Sequence, residues 1–312
     1  MYNFNQNIPF YRQMIGLLRN ALPLLDKEGR EEVRQFIVRQ KNPDGGFQDR
    51  GGRSDLYYSL FGGLMLKAFE MENCEGKEEI GKRKNGSREP FSELVEGNPQ
   101  LAAESILKLR QFIIQQSGSE VPGFIEKCCL VLLQKDLKTN WFSRINAIML
   151  LVQAFWKERS SINLSYQSFV LFLTLDAVLP FPRILKMGAG RMLERTIVDQ
   201  NSPCSEVAAN VFLKKIMNQD GSAELELLNS LACKTGGFKA FQHLQQADML
   251  STAIALFALN YFGYDLRVLK PACLSFIQQN YSEGAFLSGD GDQTADLEYT
   301  FYGMLALGVL AE

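Results

Sequence analysis

A short pattern occurs three times in this chain: a Gly-Gly-Phe or Gly-Ala-Phe turn, a polar loop, an Asp, and an apolar segment rich in Tyr, Ser and Thr. The turns end at Phe47, Phe238 and Phe286, and the aspartates that follow are Asp55, Asp248 and Asp296. The segment after each Asp is nearly uncharged, so a helix formed there must be covered by other elements on every side. A unit that cannot bury its own apolar helix is typical of a helical repeat architecture.

An amphipathic helix is expected before the first and the third turn, with one side facing water. Val33, Phe36 and Ile37 lie on one face of a helix over 31–40, and a stripe that begins at Leu269 marks the helix before the third turn. The second and third turns are 48 residues apart, and the first and second are 191 apart, close to four such periods. Between them we find eroded copies, for example at 112–133. The spacing predicts an all-α fold of about six helical hairpins around a common axis.

The composition is compatible with one large core. The chain has 312 residues, of which 46% are hydrophobic. We expect a single domain over 1–312, with a polar surface insertion around 70–98. Lys and Arg number 33 against 35 Asp and Glu, and this balance argues against a general nucleic-acid binder.

The sequence predicts a cytoplasmic protein without a membrane span. The amino terminus has neither a basic nor an apolar signal region. The longest apolar runs, at 145–156 and 169–181, are too short to cross a bilayer. The six cysteines contain no Cys-x-x-Cys pair, which favours reduced core thiols.

The three copies resemble the repeat of the α/α-toroid superfamily, which contains the protein prenyltransferase β subunits and the squalene and terpene cyclases. The resemblance is specific at the three copies and faint between residues 70 and 225. It implies an α/α toroid, with inner and outer rings of helices around an apolar central cavity. Likeness of fold alone does not define an activity, so function depends on the site.

The zinc site of the family's protein prenyltransferases is not retained in the sequence. Those enzymes bind zinc with an Asp-x-Cys pair at the start of one inner helix and a His in a later one. Here Tyr57 and Leu250 stand at the Cys positions, and Tyr299 stands where the His would be. The single histidine, His243, precedes Asp248 at no matching position. We therefore expect no zinc and no other cofactor, with Mg²⁺ as an option only if the substrate is a diphosphate.

The resemblance also indicates a site for an isoprenoid diphosphate. In the family, basic residues in the loop before the Asp and a Tyr three residues after it contact the diphosphate. The first copy has Arg50 and Arg53 in that loop, and Tyr58 three residues after Asp55. Arginine matches phosphate oxygens, and a tyrosine hydroxyl can donate to a leaving oxygen. Alternatively, the two arginines are ordinary loop charges.

Acidic and aromatic residues of the repeat have two interpretations each. The three aspartates are the remaining catalytic acid candidates, or they are helix N-caps. The aromatic candidates for the wall of a tail pocket, where they would hold a prenyl chain or stabilise a carbocation, are equally suited to core packing. These are Tyr57, Tyr58, Phe61, Tyr299 and Tyr302.

Two functions follow from the resemblance. The first is an enzyme of isoprenoid metabolism, a prenyltransferase or a cyclase, that acts without zinc on a substrate with an apolar tail, such as a prenyl diphosphate. The alternative is a non-catalytic toroid that binds a lipid-like ligand or a partner protein. Because β subunits of the family work with a helical α subunit, a helical partner is the expected kind.

Overall fold

The computed structural model describes residues 9–78, 99–118, 123–136, 141–158, 164–178 and 197–312. Within them lie twelve α-helices and two short antiparallel hairpins, which confirms the all-α fold. The helices are α1 (Phe10–Ala21), α2 (Lys27–Arg39), α3 (Leu56–Glu78), α4 (Pro99–Gly118), α5 (Phe124–Asp136), α6 (Trp141–Glu158), α7 (Leu164–Val178), α8 (Cys204–Ile216), α9 (Ser222–Ser230), α10 (Met249–Phe262), α11 (Lys270–Gln279) and α12 (Leu297–Leu310). The strands are β1 (Phe47–Gln48) with β2 (Ser54–Asp55), and β3 (Tyr281–Ser282) with β4 (Ala285–Phe286).

Six helices form a closed inner ring. In the order α3, α5, α7, α8, α10 and α12, each helix packs against the next, and α12 packs against α3. Ten of the 14 residues of α10 and twelve of the 14 residues of α12 are buried, as expected for nearly uncharged helices that are covered on all sides. The predicted inner ring is therefore confirmed.

Five of the described helices, α2, α4, α6, α9 and α11, lie outside this ring. On α2 the buried residues are Val33, Phe36 and Ile37, the stripe that the sequence predicts.

The outer layer is continuous between the two ends of the chain, because the Tyr281 hydroxyl donates to Glu32 at 2.8 Å. Gly284, with a φ of 85°, lies directly against the backbone of α2 at Glu32. A side chain there would collide with that backbone, which explains a glycine at this turn position.

A buried hydroxyl joins the turn to the inner helix in each copy. In the second copy, the backbone N–H of Phe238 donates to Thr252 Oγ1 at 2.9 Å, and the Thr252 hydroxyl donates to the carbonyl of Asp248 at 2.7 Å. The turn N–H groups of the other copies donate in the same way, from Phe47 to Ser59 and from Phe286 to Thr300. The Ser or Thr four residues after the Asp thus fixes the turn on the helix.

Helix α1 closes one end of the ring. It packs against α3, α7 and α12, which belong to different sides of the ring. The Phe10 ring lies 4.8 to 5.5 Å from aromatic rings of α7, α8 and α10. Gly308 of α12 allows close approach, since a Cβ at this position would clash with the carbonyl oxygen of Leu17. The sequence predicts a helix here but not its central position.

The predicted insertion at 70–98 is only partly covered by the described residues. Helix α3 continues to Glu78, so the first part of that range is helical. Residues 79–98 lie outside the described part of the chain. No described helix combines the length and the apolarity needed to cross a membrane.

Candidate functional site

The ring has two different ends, which we call the sealed end and the mouth. The sealed end is where α1 contacts the carboxyl-terminal halves of the ring helices, for example at Gly308 and Tyr261. The mouth lies at the amino-terminal ends of the same helices. It carries the three repeated aspartates and the loops that precede them.

The three repeated aspartates cap the inner helices at the mouth. Each carboxylate accepts a hydrogen bond from a backbone N–H two or three residues further on, at 2.7 to 2.9 Å. The N-cap interpretation of Asp55, Asp248 and Asp296 is therefore confirmed. A catalytic role for these carboxylates stays a prediction.

Arg50 crosses from the first copy to the third. Its Nε donates to Asp296 Oδ2 at 2.6 Å, and its NH1 donates to Asp292 Oδ2 at 2.9 Å. The guanidinium carbon also lies 5.2 Å from the centre of the Tyr299 ring. Two carboxylates therefore compensate this single positive charge.

The other residues predicted for a diphosphate head are not all brought together. Arg53 is 86% exposed and pairs at 3.8 Å with Asp49 of its own loop, so the structure does not bring it to Arg50. Tyr58 is placed near Arg50. Burial raises the pKa of the Tyr58 hydroxyl, and the charge of Asp296 adds to this rise, while Arg50 opposes it.

Glu298 is a site residue that the sequence analysis missed. Tyr57 donates its hydroxyl hydrogen to Glu298 Oε1 at 2.9 Å, and the hydroxyls of Tyr57 and Tyr302 are 3.2 Å apart. Burial raises the pKa of Glu298, and the hydrogen bond from Tyr57 lowers it in part. A signal was present, because Glu298 is a single charge within a segment that must be covered on all sides.

A central cavity of about 120 Å³ lies between the mouth and α1. All six ring helices and α1 contribute to its wall, which is mainly apolar. The predicted aromatic residues Tyr57, Phe61 and Tyr302 line it, and Phe61 stacks on Phe301 with ring centres 4.3 Å apart. Met14 of α1 forms part of the wall at the sealed end.

A second cavity, which we call the side pocket, opens beside the mouth and has a volume of about 560 Å³. It lies between the amino-terminal ends of α8, α10 and α12 and the loop that leads to α10. Asp248 and Tyr299 are in its wall, and Ser205 lines both the side pocket and the central cavity. The two cavities are therefore neighbours.

Comparison with known families agrees with this double ring. The model of the prenyltransferase alpha-alpha toroid domain matches residues 13–130 and 206–312. The chain belongs to this toroid family. Neither a curated protein nor a solved structure gives a significant match. The matched ranges include Arg50, Glu298 and the three capping aspartates, so the mouth lies within the family domain.

Zinc does not fit the donor atoms that this toroid protein offers at the family's positions. Tyr57 and Leu250 supply no thiolate, and Tyr299 supplies no imidazole, whereas protein zinc sites are built from Cys, His and carboxylates. His243 is exposed and stacks on Phe241, with ring centres 5.5 Å apart, in the loop before α10. We derive no step through zinc for this chain.

Proposed function

We propose that this toroid protein binds the apolar tail of a short isoprenoid substrate in the central cavity and holds the polar head at the mouth. The observation that carries the proposal is the cavity itself. The wall of this cavity is mainly apolar. It also includes Tyr57 and Tyr302, whose hydroxyls are in contact, and the Tyr57 hydroxyl is bonded to Glu298. An apolar chain would bury its surface against this wall and would keep its polar head near Arg50.

The volume of the cavity limits the length of the tail. A cavity of about 150 Å³ accommodates benzene, and drug-sized ligands occupy roughly 300 to 1,000 Å³. At about 120 Å³, the central cavity suits roughly one five-carbon isoprene unit. We therefore expect a dimethylallyl group to bind better than a farnesyl group.

A diphosphate head needs more positive charge than Arg50 supplies. Asp292 and Asp296 already compensate the guanidinium, and they would repel phosphate oxygens. Among the described residues, no group of three or more His, Cys, Asp or Glu side chains could hold a metal ion. Mg²⁺ is often bound by one or two carboxylates together with substrate phosphates, so Asp292 and Asp296 would hold it jointly with the ligand.

Glu298 is the proposed proton acceptor for transfer to a neutral hydroxyl or amine. In such a transfer, the carbon–oxygen bond to the diphosphate breaks, and its electron pair leaves with the diphosphate. The acceptor forms the new bond to carbon and loses a proton. A carboxylate whose pKa is raised by burial is a stronger base, and Tyr57 connects Glu298 to the cavity wall.

Ligand binding tests this proposal with matched variants. We expect dimethylallyl diphosphate with Mg²⁺ to raise the melting temperature more than farnesyl diphosphate does. Arg50→Met should weaken binding by about tenfold or more, whereas Arg53→Met should not change it. Ala209→Leu should also weaken binding, because Ala209 lines the cavity and a larger side chain fills it. Absence of binding to any prenyl diphosphate, or equal losses in both arginine variants, would contradict the proposal.

A non-catalytic toroid is the second candidate, and the compensated charge of Arg50 favours it. Two carboxylates on one guanidinium suit a site that holds an uncharged, lipid-like ligand. Prenyl alcohols would then bind as well as diphosphates, and mass spectrometry would detect no transfer to added alcohols or amines. A helical partner protein stays a prediction from the family resemblance.

A further inference from the structure

The wall of the side pocket combines acidic, amide and apolar side chains. Its polar side chains include the carboxylates of Asp248 and Asp290 and the amides of Gln245 and Gln246, and none of its lining residues is basic. Aromatic and aliphatic side chains form the remaining wall, among them the ring of Tyr299. The cavity therefore combines negative charge with apolar surface, and no positive side chain of its own balances that charge.

Asp248 and Asp296 occupy equivalent positions in two copies but differ in their partners. Both cap an inner helix. Asp296 forms an ion pair with Arg50, with 2.6 Å between Oδ2 and Nε. Asp248 forms no ion pair with any residue in the described ranges. Burial raises the pKa of Asp248, and the charge of Asp290 adds to the rise. A cation bound beside Asp248 would supply what Arg50 supplies to Asp296.

We propose that the side pocket binds a small organic cation, an alkylammonium or quaternary ammonium group. Asp248 and Asp290 would be its counter-charges, and the ring of Tyr299 would contact its alkyl groups. Aromatic faces and carboxylates together favour such cations. A metal ion fits less well, because Mg²⁺ and Ca²⁺ require six or more oxygen ligands at short distance and gain nothing from aromatic walls.

The volume and the depth of the side pocket are both compatible with an organic ligand. About 560 Å³ is far more than one ion needs. Ser251 is only 2% exposed and still lines the pocket, so the cavity reaches buried polar groups beneath the surface. The inference goes beyond the proposed function and does not depend on it, because the ligand needs no isoprenoid tail.

Choline and its uncharged isostere 3,3-dimethylbutan-1-ol test the proposal by titration calorimetry at low salt. The two molecules have the same shape and differ in one positive charge. We expect choline to bind at least about tenfold more tightly than the alcohol. Asp248→Asn should reduce choline binding by about tenfold or more, since asparagine caps a helix as well as aspartate but carries no charge.

Two further variants complete the test. Asp290→Asn removes the exposed carboxylate and should give a smaller loss. Asp265→Asn, at an exposed capping aspartate outside the pocket wall, should leave choline binding unchanged. Equal binding of the alcohol, full binding by both pocket variants, or no binding of choline, tetramethylammonium or butylammonium at millimolar concentration would overturn the proposal. If choline binds and every prenyl diphosphate fails, the proposed function is contradicted and this inference stands.

Discussion

The two ends of the ring use charged groups in different ways. At the sealed end, Lys67 Nζ lies 3.1 Å from Asp136 Oδ1, and the Tyr11 hydroxyl donates to the same carboxylate. These side chains have their partners inside the protein. At the mouth, two carboxylates pair with the one guanidinium of Arg50, and burial raises the pKa values of Glu298 and Asp248. Charge without a balancing partner at the mouth, in contrast to the paired charge at the sealed end, is what supports the proposed binding there.

Removing the carboxylate of the sealed end should have the largest effect on stability. Asp136→Asn leaves Lys67, whose side chain is only 16% exposed, without the carboxylate that pairs with it, and loss of one partner of a largely buried pair costs about 3 kcal/mol. Urea unfolding measures this change. Asp265→Asn, which removes an exposed partner of Arg267, is the matched control and should give no measurable change. Equal, small effects of the two substitutions would contradict a structural role for the sealed end.

The close contact between α1 and α12 should give the next largest effect. Gly308→Ala introduces a Cβ that clashes with the carbonyl of Leu17, and we expect a loss of about 2 to 3 kcal/mol. Gly63→Ala in α3 is the control, since a Cβ there meets no atom within 4 Å. Helix propensity predicts that Gly63→Ala stabilises the protein by up to about 1 kcal/mol. If Gly308→Ala lowers the free energy of unfolding and Gly63→Ala raises it, the result supports α1 as the helix that closes the ring. A Gly308→Ala variant with unchanged stability would contradict this role of α1.

At the mouth, removal of a carboxylate should increase the stability of the protein slightly, whereas at the sealed end it should decrease it. Burial raises the folded-state pKa of Glu298 above its unfolded value, so ionisation costs stability in the folded protein. This cost appears as the pH rises above the unfolded pKa of about 4.3 and is complete above the folded pKa. Glu298→Gln should therefore have a slightly higher melting temperature than the unmodified protein at neutral pH, and the same one at acidic pH. A lower melting temperature at neutral pH would show that Glu298 is a structural carboxylate like Asp136.

The repeat made much of the fold predictable from the sequence. Each copy contains its own capping Asp, its turn glycine and the hydroxyl that joins turn to helix, so short-range contacts specify the unit. The middle of the chain lacks complete copies, and there only helices such as α5 and α6 could be expected. The family resemblance supplied the double ring, and the described helices and the domain match confirm it.

The contacts across the ring could not be predicted in the same way. Arg50 and Asp296 are 246 positions apart, and only ring closure brings them together. An amphipathic pattern such as that of α1 is the same for an outer helix and for one that closes the ring. Glu298 could not be predicted from the repeat, because the repeat defines only the positions that the copies share and this glutamate occurs in one copy.

The methyl resonance of Met14 provides the most direct test of an apolar tail in the central cavity. Met14 lines that cavity from α1, whereas Met149 is exposed on α6, so methyl-labelled methionine reports on both sites in one spectrum. A Met14→Leu variant assigns the first signal. We predict that dimethylallyl diphosphate with Mg²⁺ shifts the Met14 resonance and leaves that of Met149 unchanged. A saturating ligand that leaves the Met14 resonance in place would contradict the proposed binding of the tail in the central cavity.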